Sequence, residues 1–552
     1  MIQVKNLHLM HKKDLRPLLS DFSFALNPGD KAVIIGEEGN GKSTLLKWLV
    51  NPALVEDYVE AEGERITGGA KIGYLPQELP AKEKERTLYE FFCEEEQFFQ
   101  WSPKELSKLA QELGLPVEFY YGEQQMYTLS GGEKVKAQMA RILISEPDVF
   151  LLDEPSNDID IEMLEWMERL IGETDRPVLY ISHDETLIER TANVVIHLEQ
   201  IRRKTVSRHT VAQMPYREYL IQRESVMDNQ MQMALNERRQ ERIRREKLNR
   251  IMQRVEHEQN AISRQNPHGG QLLKKKMKAV KSMERRFDKA AGQMTQKPEE
   301  EEAILLRFSP DIRIPAGKTV LDFHLDTLTA GETESDLRLD TLAAGKTESA
   351  FHLVGQAEKK GEGIECAPSR MLARNIHLFV RGPEKICIIG KNGAGKTTFL
   401  KHIAAELLAR QDIKAAYMPQ NYEELLNLDE TPVDYLSESG DKEEITKIRT
   451  WLGSMKYTAD EMSHPVRELS GGQKAKIFLL KMNLSGANVL ILDEPTRNFS
   501  PLSNPVIRQV LSDFGGAIIS ISHDRKYIGE VCETVYELRE DGLHRLQGDV
   551  FC

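Results

Sequence analysis

A nucleotide-binding pattern that occurs twice constrains this chain more than any other feature. Residues 36–44 read GEEGNGKST and residues 390–398 read GKNGAGKTT, and both fit G-x-x-x-x-G-K-[ST]. Each copy follows a short apolar run, KAVII or KICII, and precedes a stretch typical of a helix. This is the strand–loop–helix context that a phosphate-binding P-loop requires. One match could arise by chance, but two in context predict two nucleotide-binding domains.

The residue types of this loop suit a nucleoside triphosphate with Mg²⁺. Glycines let the backbone N–H groups face the phosphates, helped by the start of the next helix. We predict that Lys42 and Lys396 bind the β- and γ-phosphates and that Ser43 and Thr397 bind Mg²⁺. The predicted nucleotide contacts are Gly36, Gly39, Gly41, Lys42, Ser43 and Thr44 in the first half, and Gly390, Gly393, Gly395, Lys396, Thr397 and Thr398 in the second.

Four further motifs follow each P-loop in the same order. YLPQ, LSGGE, LLDEP and ISHD in the first half correspond to YMPQ, LSGGQ, ILDEP and ISHD in the second. From the serine of LSGG to the glutamate of DEP is 24 residues in both halves, and from that glutamate to the histidine is 29 in both. Such equal spacing indicates an internal repeat of whole domains.

These motifs, in this order, resemble the ATP-binding cassette family. The resemblance implies an α/β fold of two tandem cassettes stacked head to tail, so that LSGG of each half completes the site of the other. It also implies that Asp153 and Asp493 hold Mg²⁺, partly through water, and that Glu154 and Glu494 act as general bases. The other implied site residues are Gln77 and Gln420, which would sense Mg²⁺ and the attacking water, His183 and His523 at the γ-phosphate, and the helix-start anion sites Ser130, Gly131, Gly132, Ser470, Gly471 and Gly472.

Two questions about these nucleotide sites stay open at this stage. A histidine is more often a satisfied core residue than a catalytic one, but the identical register of His183 and His523 favours the functional interpretation. No aromatic residue upstream of either P-loop stands out as a partner for adenine, so the preference for ATP rests on the resemblance.

The bulk composition limits where such a protein can work. A chain of 552 residues is too long for a single hydrophobic core, so we expect two or more domains. It lacks the run of about 18 apolar residues that a membrane helix needs, and its start, MIQVKNLHLM, lacks the layout of a signal peptide. The five cysteines are scattered without a pairing pattern. We therefore predict a cytoplasmic protein with reduced thiols and no membrane contact.

The segment between the two halves predicts a long helical hairpin. Residues 215–297 contain little Pro or Gly apart from NPHGG at 266–270, where we expect the chain to turn. A helix over 216–262 would span roughly 70 Å. Apolar residues repeat at heptad spacing in the second helix and more loosely in the first: Leu273, Met277, Val280, Phe287, Ala291 and Met294, against Ile243, Leu248, Ile251, Val255 and Ile262.

This hairpin is basic although the chain is acidic. Residues 237–289 contain 17 Lys/Arg against 7 Asp/Glu, whereas the whole chain carries −13. A charge run is often only a solvated face, but a basic hairpin on an acidic protein is typical of a nucleic-acid partner. We expect contacts mainly with phosphates and with nucleic-acid shape. The candidate RNA contacts are Arg264, Gln265, Asn266, His268, Lys274, Lys275 and Lys276.

Two cassettes joined by a charged helical hairpin, with no membrane domain, resemble the ABC-F family. That resemblance implies a monomeric ATPase with an intramolecular cassette sandwich, using ATP and Mg²⁺. Its implied partner is the bacterial 70S ribosome: the protein enters the E site, the linker contacts 23S rRNA and the P-site tRNA, and an arm near 80–128 meets the L1 stalk. The predicted domains are cassette 1 over 1–200, the linker over 201–300 with its tip near 260–271, and cassette 2 over 301–552.

The two loops after DEP differ, and the difference has two interpretations. Residues 156–160 read SNDID, close to the family's TNHLD, but residues 496–501 read TRNFSP and lack the final carboxylate. Either the two ATP sites are asymmetric, or the loop has drifted without effect on turnover. DEPTRNFSPLS resembles the ABC-F branch that confers resistance to pleuromutilins, lincosamides and streptogramin A, which implies drug displacement from the peptidyl-transferase centre.

Alternatives remain at this stage. A housekeeping ABC-F translation factor would bind ribosomes without protecting them from a drug. A factor acting on branched DNA would usually carry a further basic coiled coil after the second cassette, and a transporter ATPase would have no use for the basic hairpin. Residues 325–338 recur as 339–352, which we interpret as a tolerated surface insertion in the second cassette.

Overall fold

The computed structural model describes residues 1–201, 204–261, 267–291, 295, 297–298, 307–329 and 371–546. The chain divides into two compact units. One comprises Met1–Tyr216 and Glu301–Cys552, and it contains both predicted cassettes. The other, Arg217–Glu300, corresponds to the predicted linker.

The first cassette is built on a six-stranded sheet with the strand order β5-β6-β7-β3-β8-β9. Its strands pair in parallel except β8 and β9, which are antiparallel. The three central strands are buried along their whole length, as their continuous apolar sequences require in a sheet covered on both faces. The strands are β3 Lys31–Ile35, β5 Ile72–Leu75, β6 Val149–Asp153, β7 Val178–Ile181, β8 Val194–Ile201 and β9 Val206–Ala212, which extends this sheet beyond residue 200.

The second cassette repeats this sheet with the order β13-β14-β15-β12-β16-β17. The P-loop strand β12 again lies between the strand that precedes ISHD and the strand that follows the next helix. This repetition confirms the predicted α/β fold with two tandem cassettes. The strands are β12 Lys385–Ile389, β13 Ala415–Met418, β14 Val489–Asp493, β15 Ala517–Ile521, β16 Thr534–Arg539 and β17 Gly542–Arg545.

Each cassette also has antiparallel strands that cover its P-loop helix. In the first cassette, β1 (Ile2–His11) lies between β2 (Pro17–Leu26) and β4 (Val59–Ile66). Leu45, Leu46 and Leu49 of the P-loop helix join the core that these strands share with the large sheet. In the second cassette, β10 (Thr319–Thr329) pairs with β11 (Met371–Arg381). Most of the predicted repeat at 325–352 lies between these strands, outside the described residues.

Short helices connect the motifs of the first half. Between YLPQ and LSGGE they bury Phe91, Phe92 and Phe98 around Tyr120, whereas Phe99 is exposed. Phe91, Phe92 and Phe98 are therefore core residues of this segment. The helices of the first cassette are Lys42–Val50, Pro52–Leu54, Ala81–Lys84, Leu88–Cys93, Glu96–Phe99, Pro103–Glu112, Val117–Tyr121, Met126–Thr128, Gly131–Ile144, Ile161–Glu173 and Glu185–Thr191.

The second half has fewer helices in the corresponding segment. Residues 422–468 carry Tyr422–Glu424, Pro432–Leu436, Lys442–Ser454 and Val466–Glu468. The other described helices of this half are Lys396–Leu408, Gly471–Leu484, Asn504–Ser512 and Arg525–Val531.

The linker unit contains the two long helices expected from its sequence, Tyr216–Ala261 and Pro267–Ala291. The second helix already begins at Pro267 and includes the two glycines that we expected in the turn, whereas residues 262–266 lie outside the described residues. Proline is well suited to the first turn of a helix, where its missing N–H has no partner to lose. Of the predicted apolar positions, Leu248, Val255 and Val280 are buried, but Ile243 and Ile251 are exposed.

None of the helices in the described ranges combines the length and the apolar character needed to cross a membrane.

Candidate nucleotide sites

The P-loops require glycine at their first position. Gly36 and Gly390 have φ of 141° and 151°. A Cβ at either would lie 2.2 Å from the carbonyl oxygen of Leu198 or 2.7 Å from that of Leu538. Both P-loop lysines fold back over the loop: Lys42 Nζ donates to the Gly36 carbonyl at 2.7 Å and Lys396 Nζ to the Gly390 carbonyl at 2.8 Å. Each lysine is thus held where a phosphate-binding lysine should lie.

The aspartates of the two DEP motifs lie next to the P-loop hydroxyls. Ser43 Oγ donates to Asp153 Oδ1 at 2.9 Å, and Thr397 makes the equivalent hydrogen bond to Asp493. Burial raises the pKa of both carboxyls to about 6. Oδ2 of each is buried without a hydrogen-bond partner among the described residues. A hydroxyl beside an unpartnered carboxylate oxygen fits Mg²⁺, which prefers hard oxygen ligands.

The glutamates of DEP both adopt the left-handed backbone region, with φ of 53° at Glu154 and 52° at Glu494. Such strain in a non-glycine residue is characteristic of functional sites. The two environments differ. Glu154 Oε1 lies 3.0 Å from Nε2 of His183, but the corresponding distance from Glu494 to His523 is 3.9 Å. The two halves therefore place the same residue pair in different electrostatic states.

The pKa values reflect this difference. Burial opposes both charges of the first pair, but mutual attraction outweighs it, so the pKa of Glu154 is lowered and that of His183 is raised. In the second half burial, assisted by the Asp493 carboxylate, raises the pKa of Glu494 to about 8. Burial and the nearby Lys396 lower the pKa of His523 to about 3. The first pair is an ion pair and the second is close to neutral.

The LSGG stretches begin helices of 14 residues and lie opposite the P-loops of the other cassette. Ser130 and Ser470 cap these helices, each in a capping box with the residue three positions on. A cavity of about 410 Å³ is lined by Ser130, Gly131 and Gly132 from the first cassette and by Lys396, Thr397, Gln420, Glu494 and His523 from the second. On the other side the N–H of Gly472 donates to Glu38 of the first P-loop. Both halves thus meet head to tail.

The two loops after DEP contact the opposite cassette through different residues. Arg497 Nη1 lies 2.9 Å from Oδ1 of Asp158, and Ser500 Oγ donates to Glu37 Oε1 at 3.0 Å. His183 Nδ1 lies 2.6 Å from the carbonyl oxygen of Phe499. Arg497 and Ser500, which both depart from the family pattern, therefore have partners in the first cassette.

A buried ion-pair cluster also joins the cassettes. Arg508 and Glu185, both with 4% exposed side chains, form a bidentate pair with distances of 2.5 and 3.2 Å. Lys526 lies 3.2 Å from Glu185 and 2.5 Å from Glu189, and Arg525 pairs with Glu168. In these pairs across the interface, the basic side chains come from the second cassette and the acidic ones from the first, and Arg508 also pairs with Glu530 of its own cassette at 2.7 Å. This charge asymmetry favours pairing of the two different halves over pairing of identical ones.

The remaining predicted residues vary in their placement. Gln77 is exposed, and Gln420 is half-buried at the cavity around Lys396. Arg264, Gln265 and Asn266 lie outside the described residues, as does the side chain of His268. Lys274, Lys275 and Lys276 are exposed on the second linker helix. Sequence reasoning missed Glu37, Glu38, Asp158, Glu185 and Arg508, although position-by-position comparison of the halves would have marked several of them as differences.

Comparison with known proteins agrees with this geometry. The family model described as ABC transporter matches residues 19–157 and 373–497, once in each half. One similar solved structure is the complex of the archaeal ribosomal stalk protein aP1 with the archaeal ribosome recycling factor aABCE1. The superposition covers 98% of this chain and 90% of the matched chain, with a TM-score of 0.56 at 15% sequence identity. The structure is thus similar in fold along nearly all its length. This protein is an ATPase built from two ATP-binding cassettes.

Two relatives narrow the class of this ATPase. The chain is 23% identical to ABC transporter F family member 2 of Arabidopsis thaliana, over 96% of this chain and 76% of the relative. It is 24% identical to the ribosome protection protein VmlR of Bacillus subtilis (strain 168), over 95% and 85%. Together with the motifs, these matches support an ABC-F family ATPase.

Proposed function

We propose that this ATPase protects the bacterial 70S ribosome by entering the E site and dislodging antibiotics from the peptidyl-transferase centre through its linker. One observation carries the proposal: a head-to-tail cassette pair and a linker of two long basic helices occur in one chain. Between residues 238 and 286, all 15 lysines and arginines with described side chains are exposed. Exposed charge of this density favours a polyanionic partner.

The cassettes supply the energy for this cycle. Ser130, Gly131 and Gly132 line the cavity around Lys396. ATP bound there would contact both halves, and its binding would favour the closed sandwich. Glu494 in its ionised form would accept a proton from the attacking water, and its raised pKa suits a general base near neutral pH. His523, 3.9 Å from Glu494, would lie beside the γ-phosphate. Thr397 and Asp493, or Ser43 and Asp153, would hold Mg²⁺ with the nucleotide, and the ion would supply positive charge that offsets the phosphates. Hydrolysis removes the contact with the opposite helix start and releases the closed state.

The linker supplies the contact with the ribosome. Its lysines and arginines suit phosphates of 23S rRNA and of the P-site tRNA, which are read by shape and charge. The helices over residues 81–128 would form the arm that meets the L1 stalk, and the protein would work as a monomer in the cytoplasm. The name of the relative VmlR supports ribosome protection.

A housekeeping translation factor of the ABC-F type is the second candidate. The Arabidopsis relative supports the family without supporting drug protection. The loop at 492–503, LDEPTRNFSPLS, favours the resistance branch, because it resembles that branch rather than the common TNHLD pattern.

Sedimentation with ribosomes tests the cycle. The double variant Glu154→Gln, Glu494→Gln should bind ATP without hydrolysing it and should remain in the 70S fraction, while the wild type releases. The variant Lys42→Ala, Lys396→Ala is the control, because it should not associate in an ATP-dependent manner. Release of the glutamine double variant at the wild-type rate would contradict the proposed cycle.

A further inference from the structure

The two P-loops differ in charge at the positions that face the opposite cassette. After its first glycine the first P-loop carries Glu37 and Glu38, where the second carries Lys391 and Asn392. From the first glycine to the lysine, the loop has a net charge of −1 in the first half and +2 in the second. Because the phosphates of ATP are anionic, the first loop is electrostatically the poorer site for three of them.

Glu38 is hydrogen-bonded to the helix start that completes this site. Its Oε2 accepts from the N–H of Gly472 at 2.7 Å. Oε1 lies 3.2 Å from the position that a Cβ on Gly471 would take. The helix that begins there is 14 residues long, and the N–H groups of its first turn carry the positive end of the helix dipole. The carboxylate therefore binds where the head-to-tail arrangement would otherwise bring a phosphate.

Glu37 also binds the second cassette at this interface. Its Oε1 accepts hydrogen bonds from the hydroxyls of Ser500 at 3.0 Å and Ser503 at 2.7 Å. Lys476 Nζ lies 3.9 Å from its other oxygen. These partners outweigh burial and lower the pKa of Glu37, so it is anionic. An aspartate at position 500, as in the family pattern, would face this carboxylate, which gives the serine there a physical reason.

The second site is arranged differently. Asn392, at the position equivalent to Glu38, donates to the carbonyl oxygen of Asp158 at 2.6 Å. The start of the helix at Ser130, Gly131 and Gly132 lines the cavity around Lys396. A neutral amide thus bonds to the neighbouring loop and leaves that helix start facing the cavity.

We propose that Glu38 supplies, from within the protein, the negative charge that a terminal phosphate would bring to the first nucleotide site, so that the Lys42 site takes a nucleoside diphosphate in preference to a triphosphate. The inference rests on the proposed function, because it assigns ATP binding and hydrolysis to the Lys396 site. The contacts of Glu37 and Glu38 with the second cassette then persist at the Lys42 site, while ATP turnover at the Lys396 site opens and closes the interface there.

Calorimetric titration of single-site variants with ATP and with ADP tests this inference. Lys396→Ala leaves the Lys42 site, which should bind ADP more tightly than ATP. Adding Glu38→Asn, which copies the second half, or Glu38→Gln, which keeps the length and removes the charge, should shift the preference toward ATP about tenfold or more, as expected for loss of one competing charge-assisted hydrogen bond. Far-UV circular dichroism checks that the variants are folded.

The opposite site provides the matched control. Lys42→Ala leaves the Lys396 site, which should prefer ATP, and adding Asn392→Glu should weaken ATP binding there. If Lys396→Ala binds neither nucleotide, restoration of ATP binding by Glu38→Asn supports the inference and failure to restore it overturns it. Equal or tighter ATP binding at the Lys42 site, unchanged by both Glu38 variants, overturns the inference alone. Failure of Lys42→Ala to bind ATP contradicts the proposed function instead.

Discussion

The buried pair Arg508–Glu185 gives the most demanding prediction about how the cassettes associate. Its partners come from different cassettes, and both side chains are 4% exposed. Removing one partner of a buried pair costs about 3–5 kcal/mol, because the other charge stays buried without its counter-ion. For Arg508→Met we expect about 2–4 kcal/mol, since Lys526 remains 3.2 Å from Glu185. Glu185→Gln should also destabilise the protein.

The double variant Arg508→Met, Glu185→Gln removes both buried charges. The other partner of Arg508, Glu530, is 53% exposed, and Lys526 keeps Glu189. The cost of the double variant should therefore fall below the sum of the single costs by about 2 kcal/mol. The assay is urea unfolding of the four proteins, followed by tryptophan fluorescence. The matched control is a cycle on the exposed pair Lys108–Glu112, for which we expect a coupling of about 0.5 kcal/mol or less. A coupling as small as the control would refute the closed cassette arrangement in solution.

Three further predictions concern other parts of the molecule. Gly132→Ala should lower ATP turnover at least about tenfold, because its Cβ would lie 2.5 Å from Nδ2 of Asn392 and 3.0 Å from the carbonyl oxygen of Asp158, to which that amide is hydrogen-bonded. Gly172→Ala, with open space around it, should have no such effect. Burial raises the pKa of Asp184 to about 6, above its unfolded value, although Arg525 opposes this. Its ionisation therefore costs stability, which is regained as pH falls from about 6 to about 4. Asp184→Asn keeps the cap on Leu187 and should raise the free energy of unfolding by up to about 3 kcal/mol at pH 8, and with it Tm, but should leave Tm at pH 4 unchanged. Alanine at the three lysines 274–276 should weaken ribosome binding and reduce the slope of the logarithm of the binding constant against the logarithm of the salt concentration by about two to three. Alanine at three exposed lysines of the first cassette, Lys5, Lys13 and Lys104, is the control and should change neither.

Most of the fold and the shared nucleotide motifs could be predicted, because each depends on residues close together in sequence. Strands such as VFLLD are apolar throughout since both faces of the sheet are covered. The equal spacing of LSGG, DEP and ISHD predicted the repeated topology.

What could not be predicted depends on contacts between the halves. The hydrogen bond from Gly472 to Glu38 and the pair Arg508–Glu185 join residues more than 300 positions apart, and no local pattern specifies them. The sequence indicates these contacts only where the two halves differ in charge: GEEG against GKNG, and ISHDET against ISHDRK. The expectation that the glycines of NPHGG lie in a turn was wrong for a local reason, since Pro267 suits the first turn of a helix and the helix that begins there includes both glycines.

Cell-free bacterial translation tests the central claim most directly. Synthesis is inhibited with a lincosamide, a pleuromutilin or a streptogramin A, and the protein is added with ATP. The account predicts recovery of synthesis with the wild type and none with the Lys42→Ala, Lys396→Ala variant. No recovery with any of the three drug classes, from protein whose ATPase activity has been confirmed, would contradict ribosome protection and leave the housekeeping factor as the function.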